Sequence, residues 1–305
     1  MEFRGTYTAL VTPFTTENQI DWAAFEQLIE RQITGGVTGI VFVGTTGESP
    51  TLSFEEHYQI LNRSVEIVNG RCQVIHGTGS NDTASCIETS KIAAKSGADA
   101  QLVVNPYYNK PTQEGLYQHF MAVADATDLP IMLYNIQGRS SINLETDTLL
   151  RLAEHPNIVA VKEASGDVAQ MMEVIEKSPE NFYCLSGDDA MTLPFMAMGG
   201  DGIVSVISNV VPRAMSDMVK SLLMGNYELG RTQFFNLLPL MRFSFMESNP
   251  IPLKELMAIL GLCEPLMRLP LCRGTEATQK AAQEISSLVE ELEPSEEAGE
   301  MSMFM

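Results

Sequence analysis

Pro130-Ile131-Met132-Leu133-Tyr134, a helix-length stretch over 143–154, and then Ile158-Val159-Ala160-Val161-Lys162 make up one strand–helix–strand unit. Both apolar runs are short, rich in aliphatic residues, and bounded by turn formers, with Asn135 after the first and Asn157 before the second. The same alternation recurs on either side. Strand-like runs are expected at 6–12, 39–43, 72–76, 100–104, 182–186 and 202–206, and helices at 21–34, 53–68, 81–96, 113–126 and 167–177. Ser53 with Glu56 three residues on, and Asp21 before Trp22, read as N-caps; Gly35-Gly36 and Gly70 read as stops.

Eight strands, each followed by a helix, within about 210 residues predict a (β/α)8 TIM barrel. A doubly wound open sheet is the rival. It would want a phosphate-binding glycine pattern after its first strand, but that strand runs into Thr12-Pro13-Phe14, and Gly77-Thr78-Gly79 is too short and follows the third. Past residue 210 the strand signal ceases, and 212–225, 227–245, 250–261 and 275–292 read as helices. The expected organisation is a catalytic barrel over 1–211, a C-terminal helical extension packed on it over 212–292 with no flexible linker, and an acidic, disordered tail over 293–305.

Composition narrows the function. The net charge of −20 over 305 residues argues against nucleic acid as a partner, since such readers carry a basic stripe. Part of that charge is crowded into the end of the chain (Glu290, Glu291, Glu293, Glu296, Glu297, Glu300) and speaks to solubility. No run is long enough to span a membrane, and residues 1–15 lack a secretory pattern. Five cysteines without a Cys-x-x-Cys pair predict reduced thiols in a cytoplasmic protein. His57, His76, His119 and His155 fall on separate elements, so no metal site is expected.

Lys162 is the most informative residue. A lysine ending a buried-strand pattern is unusual, because an unpaired ammonium is costly to bury. Either it caps the strand and snorkels to water, or desolvation lowers its pKa so that it can attack a ketone and form a Schiff base. In a barrel the site lies at the C-terminal ends of the strands. There the sequence places Gly44-Thr45-Thr46-Gly47-Glu48, Pro106-Tyr107-Tyr108-Asn109-Lys110, Tyr134-Asn135 with Arg139 following, Lys162-Glu163, and Ser186-Gly187-Asp188-Asp189. A tyrosine held by a threonine hydroxyl can move protons without adding fixed charge. An arginine can hold a carboxylate bidentately, and amides of the Gly44–Gly47 turn can bind another. Glu48 and Glu163 could be an acid–base pair or could merely orient neighbours.

These segments, together with Val11-Thr12-Pro13-Phe14, Gly115-Leu116-Tyr117-Gln118-His119-Phe120, Asn249-Pro250-Ile251-Pro252-Leu253-Lys254 and Arg268-Leu269-Pro270, resemble the dihydrodipicolinate synthases within the N-acetylneuraminate lyase family of pyruvate-dependent class I aldolases. The resemblance runs from about Gly5 to about Leu292. It implies condensation of pyruvate with aspartate semialdehyde, giving 4-hydroxy-tetrahydrodipicolinate early in lysine and diaminopimelate synthesis. In the roles so implied, Lys162 is the Schiff-base lysine, Tyr134, Thr46 and Tyr108 form a proton relay, and Thr45 with Thr46 holds the pyruvate carboxylate. Arg139 would receive the semialdehyde carboxylate, with Gly187 and Val204 as backbone contacts. Tyr108 would enter from a neighbouring subunit, implying a homo-oligomer, a dimer of dimers. No metal or organic cofactor is implied, since the lysine is itself the electron sink. The alternatives are an aldolase or lyase acting on another aldehyde, such as a sialic acid or keto-deoxy sugar acid, and a non-catalytic keto-acid-binding barrel.

The chain departs from that pattern twice. Gln137 and Gly138 replace a proline-containing turn before Arg139, which predicts a looser loop and an effect on acceptor binding. Ser49, His57, Asn81 and Tyr107 match a cleft that binds lysine as an inhibitor in many family members. Phe54 and Ser85 stand where a histidine and a glutamate are usual. Losing the anion that pairs with the effector's ammonium predicts weak inhibition or none.

Overall fold

In a computed structural model that describes residues 1–293, eight parallel strands close on themselves in chain order. They are β1 (Gly5–Ala9), β2 (Gly39–Phe42), β3 (Gln73–Gly77), β4 (Ala100–Val104), β5 (Ile131–Asn135), β6 (Ile158–Glu163), β7 (Tyr183–Ser186) and β8 (Gly202–Ser205), with β1 pairing both β2 and β8. This is the (β/α)8 TIM barrel that the alternation predicts. The helices are α1 (Trp22–Thr34), α2 (Phe54–Val68), α3 (Thr83–Ser96), α4 (Gln113–Ala124), a single turn α5 (Gln137–Ser140), α6 (Thr146–Ala153), α7 (Val168–Lys177), α8 (Thr192–Ala197) and α9 (Pro212–Leu223). The helices α10 (Tyr227–Phe243), α11 (Ile251–Ile259) and α12 (Glu276–Leu292) follow.

The caps explain where the helices begin. Asp21 accepts from the amides of Ala23 and Ala24, and Ser53 and Glu56 form a reciprocal capping box on α2. The left-handed cap that ends α2 is Asn69 (φ 46°), with Gly70 (φ 72°) following it.

Inside the barrel, Tyr7, Val41, Ile75, Leu102, Met132, Tyr134, Ala160, Leu185 and Val204 make one inward-facing cluster. β6 carries an extra residue against β5, because Ile131 pairs with Ile158 but Met132 pairs with Ala160. This bulge at Val159 brings Lys162 opposite Tyr134. A larger cluster joins Phe25, Leu28 and Ile40 to Phe234, Leu240, Leu253, Leu256 and Val289, so barrel and extension share one core.

Helix α9 packs on β1, α1 and α8, the position of the eighth barrel helix. We therefore place the start of the extension after α9 instead of at residue 212. The tail expected over 293–305 lies, beyond Glu293, outside the described residues. Glu293 accepts from the Ala214 amide near the start of α9.

Candidate active site

Lys162 is 5% exposed, and its Nζ stands 4.1 Å from the centre of the Tyr134 ring. The two residues are cross-strand partners, and both side chains enter the barrel. Carboxylates at the ends of β6 and β7 are engaged elsewhere. Glu163 is fully buried, accepting from Asn135 Nδ2 (3.1 Å) and the Ser165 amide (2.6 Å), and burial raises its pKa. Asp189 accepts from Ser205 Oγ (2.5 Å) and the Val206 amide (2.9 Å); burial pushes it up to about 6. The lysine thus sits among the apolar and aromatic side chains that fill the barrel.

Gly187, at the end of β7, gives that side chain its room. A Cβ added there would meet Lys162 Cγ and Cε at 3.1 Å and Ala164 Cβ at 2.7 Å. Its amide donates to the Glu163 carbonyl (2.7 Å). Val204 on β8 is fully buried in the same inward cluster as Tyr134.

The turn after β2 is tightly built. Val43 and Glu48 both adopt left-handed φ values of 56°, the Glu48 amide donates to the Thr45 carbonyl, and Thr12 Oγ1 donates to the Gly47 carbonyl (2.7 Å). Thr46 is 2% exposed, and its Oγ1 accepts from Asn249 Nδ2 at 2.9 Å. No hydrogen bond joins Thr46 to Tyr134 among the described residues. Glu48 does not face the lysine: its carboxylate takes Lys254 Nζ (2.6 Å) and the Arg268 amide (3.0 Å) in a buried pair. Glu48 and Glu163 are therefore not an acid–base pair, and each is bound into the scaffold.

Arg139 donates from Nη2 to the Asn249 carbonyl (3.2 Å). It sits in α5, where the Ser140 amide donates to Ile136 (3.0 Å) and the Ser141 amide to Gln137 (2.9 Å). The expected looseness is replaced by a closed turn, with Gln137 at its first position, where a proline would also fit.

Tyr108 is 89% exposed with φ 75°, so this chain does not bring it to Lys162. A cavity of about 480 Å³ is lined by Thr45, Tyr134 and Arg139 and also by Ser49, Phe54, His57, Ser85 and Tyr107. Asn81 is not in that wall; its carbonyl accepts from Asn109 Nδ2 (2.8 Å). Among the described residues no carboxylate lines the cavity, and the Ser85 hydroxyl donates to Asp82 (2.6 Å). Burial lowers the pKa of His57, and that of His76 falls to about 3, so His76 is neutral near pH 7.

Sequence reasoning missed Asn249 as a site residue. It lay within a recognised segment, but nothing local assigns a role to an asparagine before a proline in a helical region. The buried amides beside Glu163 were missed as well: Asn105 Nδ2 donates to Asn135 Oδ1 (2.9 Å), and Asn135 Nδ2 donates in turn to Asn143 Oδ1 (2.9 Å), tying the ends of β4 and β5 together.

The profile of the dihydrodipicolinate synthetase family matches residues 2–291. The 4-hydroxy-tetrahydrodipicolinate synthase of Leptospira biflexa is 50% identical over 276 residues, covering 90% of this chain and 94% of its own. Among solved structures, the 4-hydroxy-tetrahydrodipicolinate synthase of Methylacidiphilum fumariolicum SolV superimposes with a TM-score of 0.93 at 45% identity, covering 95% of this chain and 97% of that one. An enzyme of the same kind from Cyanidioschyzon merolae, solved with lysine bound, gives a TM-score of 0.91 at 39% identity and covers 95% and 99%.

Proposed function

The chain belongs to the dihydrodipicolinate synthetase family, and from this we propose that it is a class I aldolase-type lyase condensing pyruvate with L-aspartate 4-semialdehyde. The product is 4-hydroxy-tetrahydrodipicolinate, on the route to lysine and diaminopimelate. The observation that carries the reading is the buried amine of Lys162 against the Tyr134 ring inside the barrel.

The Lys162 amine attacks the keto carbon of pyruvate, and loss of water leaves an iminium. That iminium draws electrons from the methyl group, whose proton departs to give an enamine; the enamine carbon bonds to the aldehyde, whose oxygen takes up a proton as the hydroxyl, and the amino group of the former semialdehyde then attacks the regenerated iminium carbon, expelling the Lys162 amine and closing the ring. In this reading Tyr134 and Thr46 carry protons through these steps. Thr45 and the turn amides hold the pyruvate carboxylate, Arg139 takes that of the semialdehyde, and Gly187 and Val204 shape the wall.

Tyr108 completes the relay from a second copy of the chain. Its exposure and left-handed backbone, a conformation that costs a bulky residue about 1–3 kcal/mol, support a position fixed by a partner. The assembly so implied is a homo-oligomer, a dimer of dimers. No described helix is long and apolar enough to cross a membrane. Five free cysteines support a cytoplasmic setting.

The test is consumption of aspartate semialdehyde with pyruvate, followed through a coupled reductase, with Lys162→Ala as control. Turnover that vanishes in the variant, and a borohydride-trapped pyruvate adduct on Lys162, are expected. A folded protein that forms the adduct but ignores the semialdehyde belongs with the sugar-acid aldolases. One that forms no adduct is not an aldolase.

A further inference from the structure

We propose that Glu48 is a positioning residue for the keto acid: its buried pair with Lys254 holds the turn after β2 in the shape that offers main-chain amides to a substrate carboxylate. This rests on the function proposed above, in which that turn takes the pyruvate carboxylate. Two sets of contacts carry it. Within the turn, the Glu48 amide donates to the Thr45 carbonyl (3.1 Å) and the Ser49 amide to the Gly44 carbonyl (3.2 Å), whereas the amides of Thr45, Thr46 and Gly47 have no acceptor among the described residues. Gly44 and Thr45 line the cavity that Tyr134 and Arg139 also line. Behind the turn, the fully buried Lys254 Nζ donates to Glu48 Oε1 (2.6 Å), the Thr12 carbonyl (2.7 Å) and the Leu266 carbonyl (2.8 Å). The Arg268 amide donates to Glu48 Oε2 (3.0 Å), so both carboxylate oxygens are taken from the C-terminal extension.

The turn needs this clamp. Val43 and Glu48 bracket it, both take a left-handed φ of 56°, and neither is glycine. A non-glycine residue persists in that region only where its surroundings fix it, and for Glu48 the fixing contacts are those of its own carboxylate. A buried ion pair gains little stability over apolar side chains of similar volume. What apolar side chains lack is direction, and here one ammonium ties Glu48 to Thr12 and Leu266 at set distances. It also cancels the charge of the carboxylate, so a turn that receives an anion has no unpaired anion behind it.

Stability and positioning can be separated by experiment. Glu48→Leu with Lys254→Met removes both charges and keeps most of the volume, so the fold survives while the directed contacts go. The readout is the rate of borohydride-trappable adduct formation on Lys162 as a function of pyruvate concentration, beside a thermal melt. We expect half-saturation to need at least about tenfold more pyruvate, the scale of a lost hydrogen bond to a charged group, with the limiting rate within about threefold of wild type. The semialdehyde KM should also stay within about threefold, because Arg139 is held by the Asn249 carbonyl and not by Glu48. Glu48→Gln keeps the size but sets an N–H against one of the two donors; it should raise half-saturation at least about threefold, and it carries the test if the double variant fails to fold. Half-saturation unchanged in a folded variant overturns the proposal, as does a limiting rate that falls further than the affinity, the mark of a disturbed lysine. A wild-type protein that forms no adduct overturns the functional reading itself, a different outcome from an adduct whose pyruvate dependence ignores Glu48.

Discussion

Replacing Gly187 by alanine adds one methyl group beside the Lys162 side chain and little else. The backbone at 187 is outside the left-handed region, so the substitution carries no conformational penalty of its own. The new Cβ would lie 3.1 Å from Lys162 Cγ and Cε and 2.7 Å from Ala164 Cβ. Carbon contacts relax near 3.5–4.0 Å, so the lysine must give by about 0.5 Å and the Ala164 segment by about 1 Å. Overpacking of this kind costs about 1–3 kcal/mol, and displacing a nucleophile by up to 1 Å lowers turnover by about 10- to 100-fold. The assay is the rate of borohydride-trappable adduct formation with pyruvate, read by mass spectrometry beside a thermal melt. A second variant, Gly187→Ala with Ala164→Gly, removes the shorter contact and leaves the lysine contacts. It should regain melting temperature without regaining the imine rate. A Gly187→Ala protein that forms the imine at the wild-type rate would refute the reasoning.

Removing the Glu48 carboxylate strands a buried ammonium: Glu48→Ala should cost about 3–5 kcal/mol by urea unfolding, and Glu48→Leu with Lys254→Met much less. Arg268 holds the Glu56 carboxyl down at about 2, chiefly by hydrogen bonding. Because the folded pKa is depressed, this contribution is complete above about 4.5 and is lost as pH falls toward 2. It is worth on the order of 1–2 kcal/mol once solvent is allowed for, and Glu56→Gln should flatten that part of the stability curve. Gln137→Pro should leave the semialdehyde KM unchanged, since the turn is already closed; a clear fall in KM would show that the loop is loose after all. L-lysine should inhibit weakly, because no carboxylate among the described residues lines the cavity beside Tyr107; half-inhibition below about 1 mM, about 4 kcal/mol of binding, would overturn that.

The barrel was legible because its signal is local: short aliphatic runs, helix-length intervals and caps such as Asp21 and Ser53 lie within a few residues of what they govern. Lys162 stood out for the same reason. Its facing was less legible, since counting alternate residues from Ile158 sends it outward, and only the extra residue at Val159 turns it in. α8, six residues long, was too short to leave a periodic signal. The partners of Glu48 and Thr46 were out of reach, because Lys254 and Asn249 lie 206 and 203 residues further along the chain. Glycine 138 reads as freedom in a sequence, yet here it lies within a closed helical turn.

The clamp on the turn after β2 has a consequence for the order in which a working molecule comes into being. All eight strands, the nucleophile and its tyrosine have been synthesised by residue 205, yet Thr46 and Glu48 wait for Asn249, Lys254 and Arg268. A nascent chain, or one cut within α10, carries Lys162 and Tyr134 without the contacts that fix this turn. The turn after β2 is therefore completed only once the segment from Asn249 to Arg268 has been made.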